Sequence, residues 1–200
     1  MNDLGKVNLL FAALLCGAAF SSWAGESGTE LLPEAGTPSG GDSTLQSAAG
    51  AVALHDFRGK VALLNFGYTH CPDICPLSLG FMAQALDTLN DEELQHVQGL
   101  FVTVDPLRDT ADLLHEYTNY FHEKIIGLTG SEAAVDVAAK QYGVQYFLVR
   151  REGDPADEYA VNHSAATYLI TPQGVLRFIF PHATPPTVVR DAVRHVLAGN

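Results

Sequence analysis

Two of the chain's three cysteines, Cys71 and Cys75, stand four residues apart in Tyr68-Thr69-His70-Cys71-Pro72-Asp73-Ile74-Cys75-Pro76. The segment follows an apolar run and leads into a helical pattern, so the pair belongs at a helix start. A cysteine there meets unpaired N–H groups and the positive end of the helix dipole, both of which favour a thiolate. Helical spacing sets the two Cα atoms roughly 6 Å apart, close enough for a reversible disulfide. It also puts two soft donors on one face. Two thiolates completed by one imidazole make a three-coordinate site suited to Cu(I). As a structural staple the pair would close too small a loop to restrict the unfolded chain much.

Eight histidines compete for the role of nitrogen donor. His70 adjoins Cys71, but at a strand end its ring is free to point away from the thiols. His163 lies in Val161-Asn162-His163-Ser164, read as a loop ahead of a strand; that loop returns beside the start of the first helix, and His163 is the expected ligand. His96, His115, His122 and His195 fall in helical or polar stretches and read as solvated; His55 and His182 have no partner motif. A zinc site from Cys71, Cys75, His70 and His163 is the competing arrangement. Zinc prefers a closed set of four ligands and usually a second paired motif, which this chain lacks. Three neighbours are candidates for a supporting role. Asp73 either tunes the thiols or caps the helix. Asp105 either hydrogen-bonds beside the site or only shapes an Asp-Pro loop. Tyr68 either lines the pocket or packs.

The elements around these residues alternate. Residues 44–54, with Gly50 at the turn, read as a weak hairpin. Val61 to Gly67 is a continuous apolar run suited to a central strand covered on both faces. Leu79, Met82, Leu86 and Leu89 form a helical stripe with Pro76 in its first turn. Val97 to Val104 is a second buried strand. Helices follow over 110–121, capped by Asp109 or Thr110, and over 131–142, capped by Ser131 and closed by Gly143. Strands are expected over 144–150 and 165–170, then a Thr171-Pro172-Gln173-Gly174 turn, a strand over 175–180, and a helix over 186–197. This α/β order closes naturally as a thioredoxin-like fold: a central mixed sheet flanked by helices, preceded by an N-terminal β-hairpin.

At 200 residues the chain has length for one domain and an appendage. Its net charge of −12 argues against nucleic acid or anionic lipid as a partner. Neither common glycine-rich phosphate loop occurs. A charge-free apolar run from Val7 to Phe20 follows Lys6 and spans roughly 21 Å as a helix, short of the ~30 Å hydrocarbon core. Ser22-Trp23-Ala24 then offers small residues for cleavage. Residues 1–24 read as a secretory signal peptide, or else as a short uncleaved anchor. Cleavage would remove Cys16 and leave Cys71 and Cys75 as the one pair. Residues 25–39, rich in Gly, Pro, Ser and Thr, read as a flexible tether, and residues 40–200 as the folded domain. The expected location is the bacterial periplasm. Met82 is the sole methionine beyond the leader, which excludes a methionine-rich copper carrier.

Phe66 to Pro76 closely resembles the cysteine signature of the SCO/SenC family of copper-binding, thioredoxin-like proteins. Val104-Asp105-Pro106-Leu107-Arg108-Asp109-Thr110 resembles that family's VDPxRDT segment, and Asn162-His163-Ser164 with Tyr168-Leu169 its histidine motif. Asp56-Phe57-Arg58-Gly59-Lys60 also fits, so the likeness spans about residues 40–200. It implies copper held by Cys71, Cys75 and His163, and a metallochaperone role in assembling the CuA centre of cytochrome c oxidase. The implied partners are the oxidase's copper-site subunit, other periplasmic copper chaperones and thioredoxin-like reductases. The alternative is a periplasmic thiol–disulfide oxidoreductase that uses Cys71 and Cys75 as its redox pair. Two positions depart from the family: Asn162 stands where aspartate is common, and Ser43 where phenylalanine is common in the first hairpin.

Overall fold

The computed structural model describes residues 40–199 apart from 154, 156 and 157. The signal or anchor segment expected over 1–24 and the tether over 25–39 lie outside the described residues. Thr44–Ser47 (β1) and Gly50–Ala53 (β2) pair antiparallel as the expected hairpin. A 3-10 turn over Leu54–Phe57 leads to Val61–Gly67 (β3), all seven residues of which are buried. A strand buried on both faces must be apolar throughout. The exception here, Asn65, donates its side-chain N–H to the Ala166 carbonyl.

Ile74–Asp87 (α1) and the short Asp91–Gln95 (α2) carry the chain to Val97–Thr103 (β4), also fully buried. Then come Ala111–Phe121 (α3), Ile125–Leu128 (β5) and Glu132–Gln141 (α4). The helix ends follow the expected caps. Thr110 accepts from the Leu113 N–H and Ser131 from the Ala134 N–H. Gly143, at φ +65°, closes α4 with Val144 N–H donating to the Ala139 carbonyl. Tyr146–Val149 (β6), Ala160–His163 (β7), Ala166–Ile170 (β8), Leu176–Pro181 (β9) and Pro186–Leu197 (α5) complete the order.

The main sheet has five strands in the order β5-β4-β3-β8-β9. β3, β4 and β5 run parallel, while β8 and β9 are antiparallel to their neighbours. The sheet is therefore mixed, as expected, with β3 at its centre. α1 packs beside α5 and α3, and α4 packs against β1. Leu63, Phe66, Leu79, Met82, Leu86, Leu100 and Phe101 are among the largest side chains wholly withdrawn from water. Each of these stabilises the fold by roughly 1.5–3 kcal/mol of transfer energy. Ser43 lines a small apolar cavity with Leu45, Val52, Phe57, Phe66 and Tyr142, and its hydroxyl donates to the Gln141 side-chain oxygen at 2.6 Å.

Several features differ from the sequence reading, among them the short helix α2, where no element is expected. β5 lies between two helices where no strand is expected. β7 occupies the stretch expected to be a loop, so His163 ends a strand. β6 and β7 pair only with each other, Tyr146 opposite His163 and Val149 opposite Ala160, as a ribbon separate from the main sheet among the described residues.

Candidate metal centre

The central strand delivers the cysteines. After Gly67 the chain turns, with Cys71 N–H donating to the Tyr68 carbonyl at 3.3 Å, and enters α1 at Ile74. Cys75 lies in the first turn of the helix, whereas Cys71 lies three residues before it. The expectation of two cysteines on one helical face is corrected here, because Cys71 belongs to the approach loop. Its sulfur still reaches the helix start, where it accepts the Cys75 N–H at 3.4 Å.

The loop is fixed from beneath by Asp109, which is 1% exposed. Its carboxylate accepts from the Thr69 N–H (3.0 Å), the Thr69 hydroxyl (2.5 Å) and the Thr103 hydroxyl (2.6 Å). A buried carboxylate is tolerated when donors surround it in this way. Gly67 provides the remaining constraint. A Cβ at that position would sit 2.8 Å from the Cys75 sulfur and 2.7 Å from Phe101, so only glycine lets the buried sulfur lie against the strand end.

The nitrogen donor arrives from β7. His163 Nε2 is 3.3 Å from Cys75 Sγ. Its Nδ1 is 3.0 Å from the Ser164 carbonyl, which can only accept, so the hydrogen-bond network assigns the proton to Nδ1 and leaves the Nε2 lone pair facing the thiol. Burial pushes the Cys75 thiol well above the usual thiol range. Burial also lowers His163, against the opposing hydrogen bond to Ser164. The metal-free pair is therefore a neutral thiol donating to a neutral imidazole, which avoids an unpaired buried charge. Tyr68, 3% exposed, meets the His163 ring edge-on at 6.0 Å, and burial raises its hydroxyl.

Cys71 Sγ, Cys75 Sγ and a His163 nitrogen all lie within 4.8 Å of one another. Bonds of about 2.0–2.3 Å to one ion span at most about 4.5 Å between donors, so a slight contraction closes the set around a single ion. Two sulfurs and an imidazole suit a soft, thiophilic ion. Cys71 and Cys75 are both free thiols. The donors face a cavity of about 320 Å³ lined also by Pro72, Asp73 and Val149.

The other candidates fall outside the cluster. His70, one of the two imidazoles of the four-ligand zinc arrangement, turns to the Thr69 hydroxyl at 3.0 Å and Asp109 at 3.6 Å. Asp73 occupies the helix N-cap position, yet its side chain makes no cap hydrogen bond. It is exposed at the cavity rim, so the capping expectation is corrected. Asp105 is buried and bonds Arg108 and Tyr159 rather than the donors. His122, expected to be solvated, is only 10% exposed and accepts the Lys124 N–H. Sequence reasoning missed Asp109, Arg108, Tyr159 and the packing role of Gly67. The first two sit within the Val104–Thr110 segment, but Thr69, which Asp109 holds, and Tyr159, which Arg108 holds, are distant in sequence. Tyr159 carries no local signal.

A thioredoxin-like fold with two thiols and an imidazole converging at its first helix defines a class of thiol-based metal or redox proteins. Residues 34–198 match the SCO1/SenC family, and the chain belongs to it. It is 43% identical over 156 residues to Protein SenC of Rhodobacter capsulatus, covering 77% of this chain and 68% of that protein. It is 38% identical over 171 residues to the mitochondrial SCO2 homolog of Bos taurus, covering 85% of this chain and 64% of that one. The chain thus spans just under two thirds of the bovine relative. The crystal structure of Arabidopsis thaliana ScoI with copper bound is similar at a TM-score of 0.71 and 33% identity, over 80% of this chain and 99% of that one.

Proposed function

We propose that this chain is a copper-binding assembly factor that holds one copper ion as cargo on Cys71, Cys75 and His163. It would pass the ion to, or prepare the thiols of, the CuA site of cytochrome c oxidase. Family members are implicated in cytochrome c oxidase assembly and copper binding. The single observation that carries the reading is the convergence of the three donors within 4.8 Å, an arrangement whose chemistry selects a soft ion. The cavity beside the partly exposed Cys71 supplies an approach for an incoming donor. Transfer then proceeds by ligand exchange, with a thiolate of the recipient entering as one donor of this chain leaves.

The apolar leader and the polar stretch behind it support export, so we place residues 40–200 in the bacterial periplasm as a single domain on a tether. The leader would be a cleaved signal or a retained anchor. Reduced protein should bind about one copper per chain in competition with a chromophoric chelator, and Cys71→Ser, Cys75→Ser and His163→Ala should each weaken it by at least ~10-fold. Unchanged affinity in all three variants would overturn the reading.

The accessibility of Cys71 beside the buried Cys75 also favours a second activity, thiol–disulfide exchange. Two thiols would pass two electrons and two protons to a partner disulfide and close as the Cys71–Cys75 disulfide. His163→Ala should leave that exchange intact, while either cysteine change should abolish it. Equal loss in all three would remove the second reading.

A further inference from the structure

His163 is presented by the β6–β7 ribbon, which pairs with no strand of the main sheet among the described residues, so other contacts must hold it against the thiols. At its base, Ser164 N–H donates to the Gln145 carbonyl at 2.9 Å, and Gln145 N–H donates to the Ser164 hydroxyl at 3.1 Å. At its far end the attachment is made by side chains. Tyr159, the residue before β7, donates its hydroxyl to Asp105 Oδ1 at 2.7 Å. Arg108 Nε donates to Asp105 Oδ2 at 2.5 Å, and Arg108 Nη1 donates to the Tyr159 carbonyl at 3.0 Å. The guanidinium carbon also lies 3.6 Å from the centre of the Tyr159 ring and 5.8 Å from that of Tyr68, whose ring meets His163 edge-on.

These contacts form a continuous path from the loop after β4 to the imidazole. Asp105 is 2% exposed, and both of its oxygens are used. A charge-assisted pair in such a setting holds its geometry rigidly. Arg108 contributes a fork of donors and a flat face for the ring, a combination that lysine cannot reproduce. Burial, with the Asp105 carboxylate adding to it, pushes the Tyr159 hydroxyl up to about 12, so it stays a donor at any working pH.

We propose that Asp105, Arg108 and Tyr159 are positioning residues: a clasp, outside the donor set, that seats His163 over Cys71 and Cys75 by fastening the end of the ribbon that carries it. The proposal rests on the reading of Cys71, Cys75 and His163 as the copper donors. Groups behind a ligand commonly change metal affinity by ~10–100-fold when altered. A clasp acting through backbone placement belongs at the lower end of that range.

The test is a double-mutant cycle between the clasp and the imidazole. Tyr159→Phe keeps the ring and the Asp105–Arg108 pair and removes one hydrogen bond; Arg108→Lys keeps the charge and removes the fork. Each should lower Cu(I) affinity of the reduced full chain about 10-fold while thermal unfolding remains cooperative. In a His163→Ala background the same two changes should leave affinity unaltered. Metal-free Tyr159→Phe should exchange the backbone amides of residues 160–163 with deuterium about 10-fold faster than the wild type. Wild-type affinity and exchange in both variants would overturn the clasp. An equal loss with and without His163 would also overturn it, because the effect would then be general loosening. If His163→Ala alone leaves affinity unchanged, the donor assignment fails and the clasp fails with it.

Discussion

Gly67→Ala adds one methyl group where β3 meets the sulfur of Cys75, and its consequence can be worked from contacts. The new Cβ would lie 2.8 Å from Cys75 Sγ and 2.7 and 2.9 Å from two Phe101 ring carbons. Comfortable separations are about 3.5–4.0 Å, so something must move by roughly 0.7–1 Å. Phe101 is wholly buried, with the Tyr117 ring 5.8 Å away, and has little room to yield. The sulfur and the first turn of α1 must take up much of the shift, which disturbs the 3.3 Å approach to His163 Nε2. Overpacking of this kind costs about 1–3 kcal/mol of stability, and we expect copper affinity to fall at least ~10-fold, about 1.4 kcal/mol. Gly80→Ala is the control, since it lies within α1 and its Cβ would meet nothing within 4 Å. It should gain about 0.5–1 kcal/mol from helix propensity and leave copper binding unchanged. Urea unfolding and chelator competition on the three proteins are sufficient. A Gly67→Ala protein that matches the wild type in both would refute the packing argument.

Asp109→Asn should lower stability by about 1.5–3 kcal/mol in urea unfolding, because three donors lose their charged acceptor; a change under ~0.5 kcal/mol would show that the loop before Cys71 is held by other contacts. Oxidation of Cys71 and Cys75 to a disulfide consumes both thiolate donors, so the oxidised chain should bind Cu(I) at least ~100-fold more weakly than the reduced chain. Isothermal titration of the two forms checks this, and equal affinities would contradict a thiolate site.

The readable parts of the fold are those whose reasons are local. The apolar run of β3, interrupted only by Asn65, announces a doubly covered strand, and Thr110, Ser131, Gly143 and Pro186 mark helix ends by their own backbone chemistry. β5 and β7 have four residues each. So short a strand exists because a neighbour supplies its hydrogen bonds, and no periodicity reveals that. The cysteine pair stands out as a scarce, chemically distinctive residue type, and His163 is told from seven other histidines by its place just ahead of a strand. Cys71's place before the helix and Asp73's idle side chain depend on the path of one turn, which the spacing alone does not determine. Asp109, Arg108 and Tyr159 act across sequence separations that only the folded chain brings together.

Copper K-edge X-ray absorption of the reduced, Cu(I)-loaded protein tests the central claim most directly, because it counts the atoms bonded to the ion. The account predicts scattering from two sulfurs and one imidazole nitrogen, with the nitrogen contribution lost in His163→Ala. A site of sulfur alone in the wild type, or a spectrum that His163→Ala leaves unchanged, would contradict it.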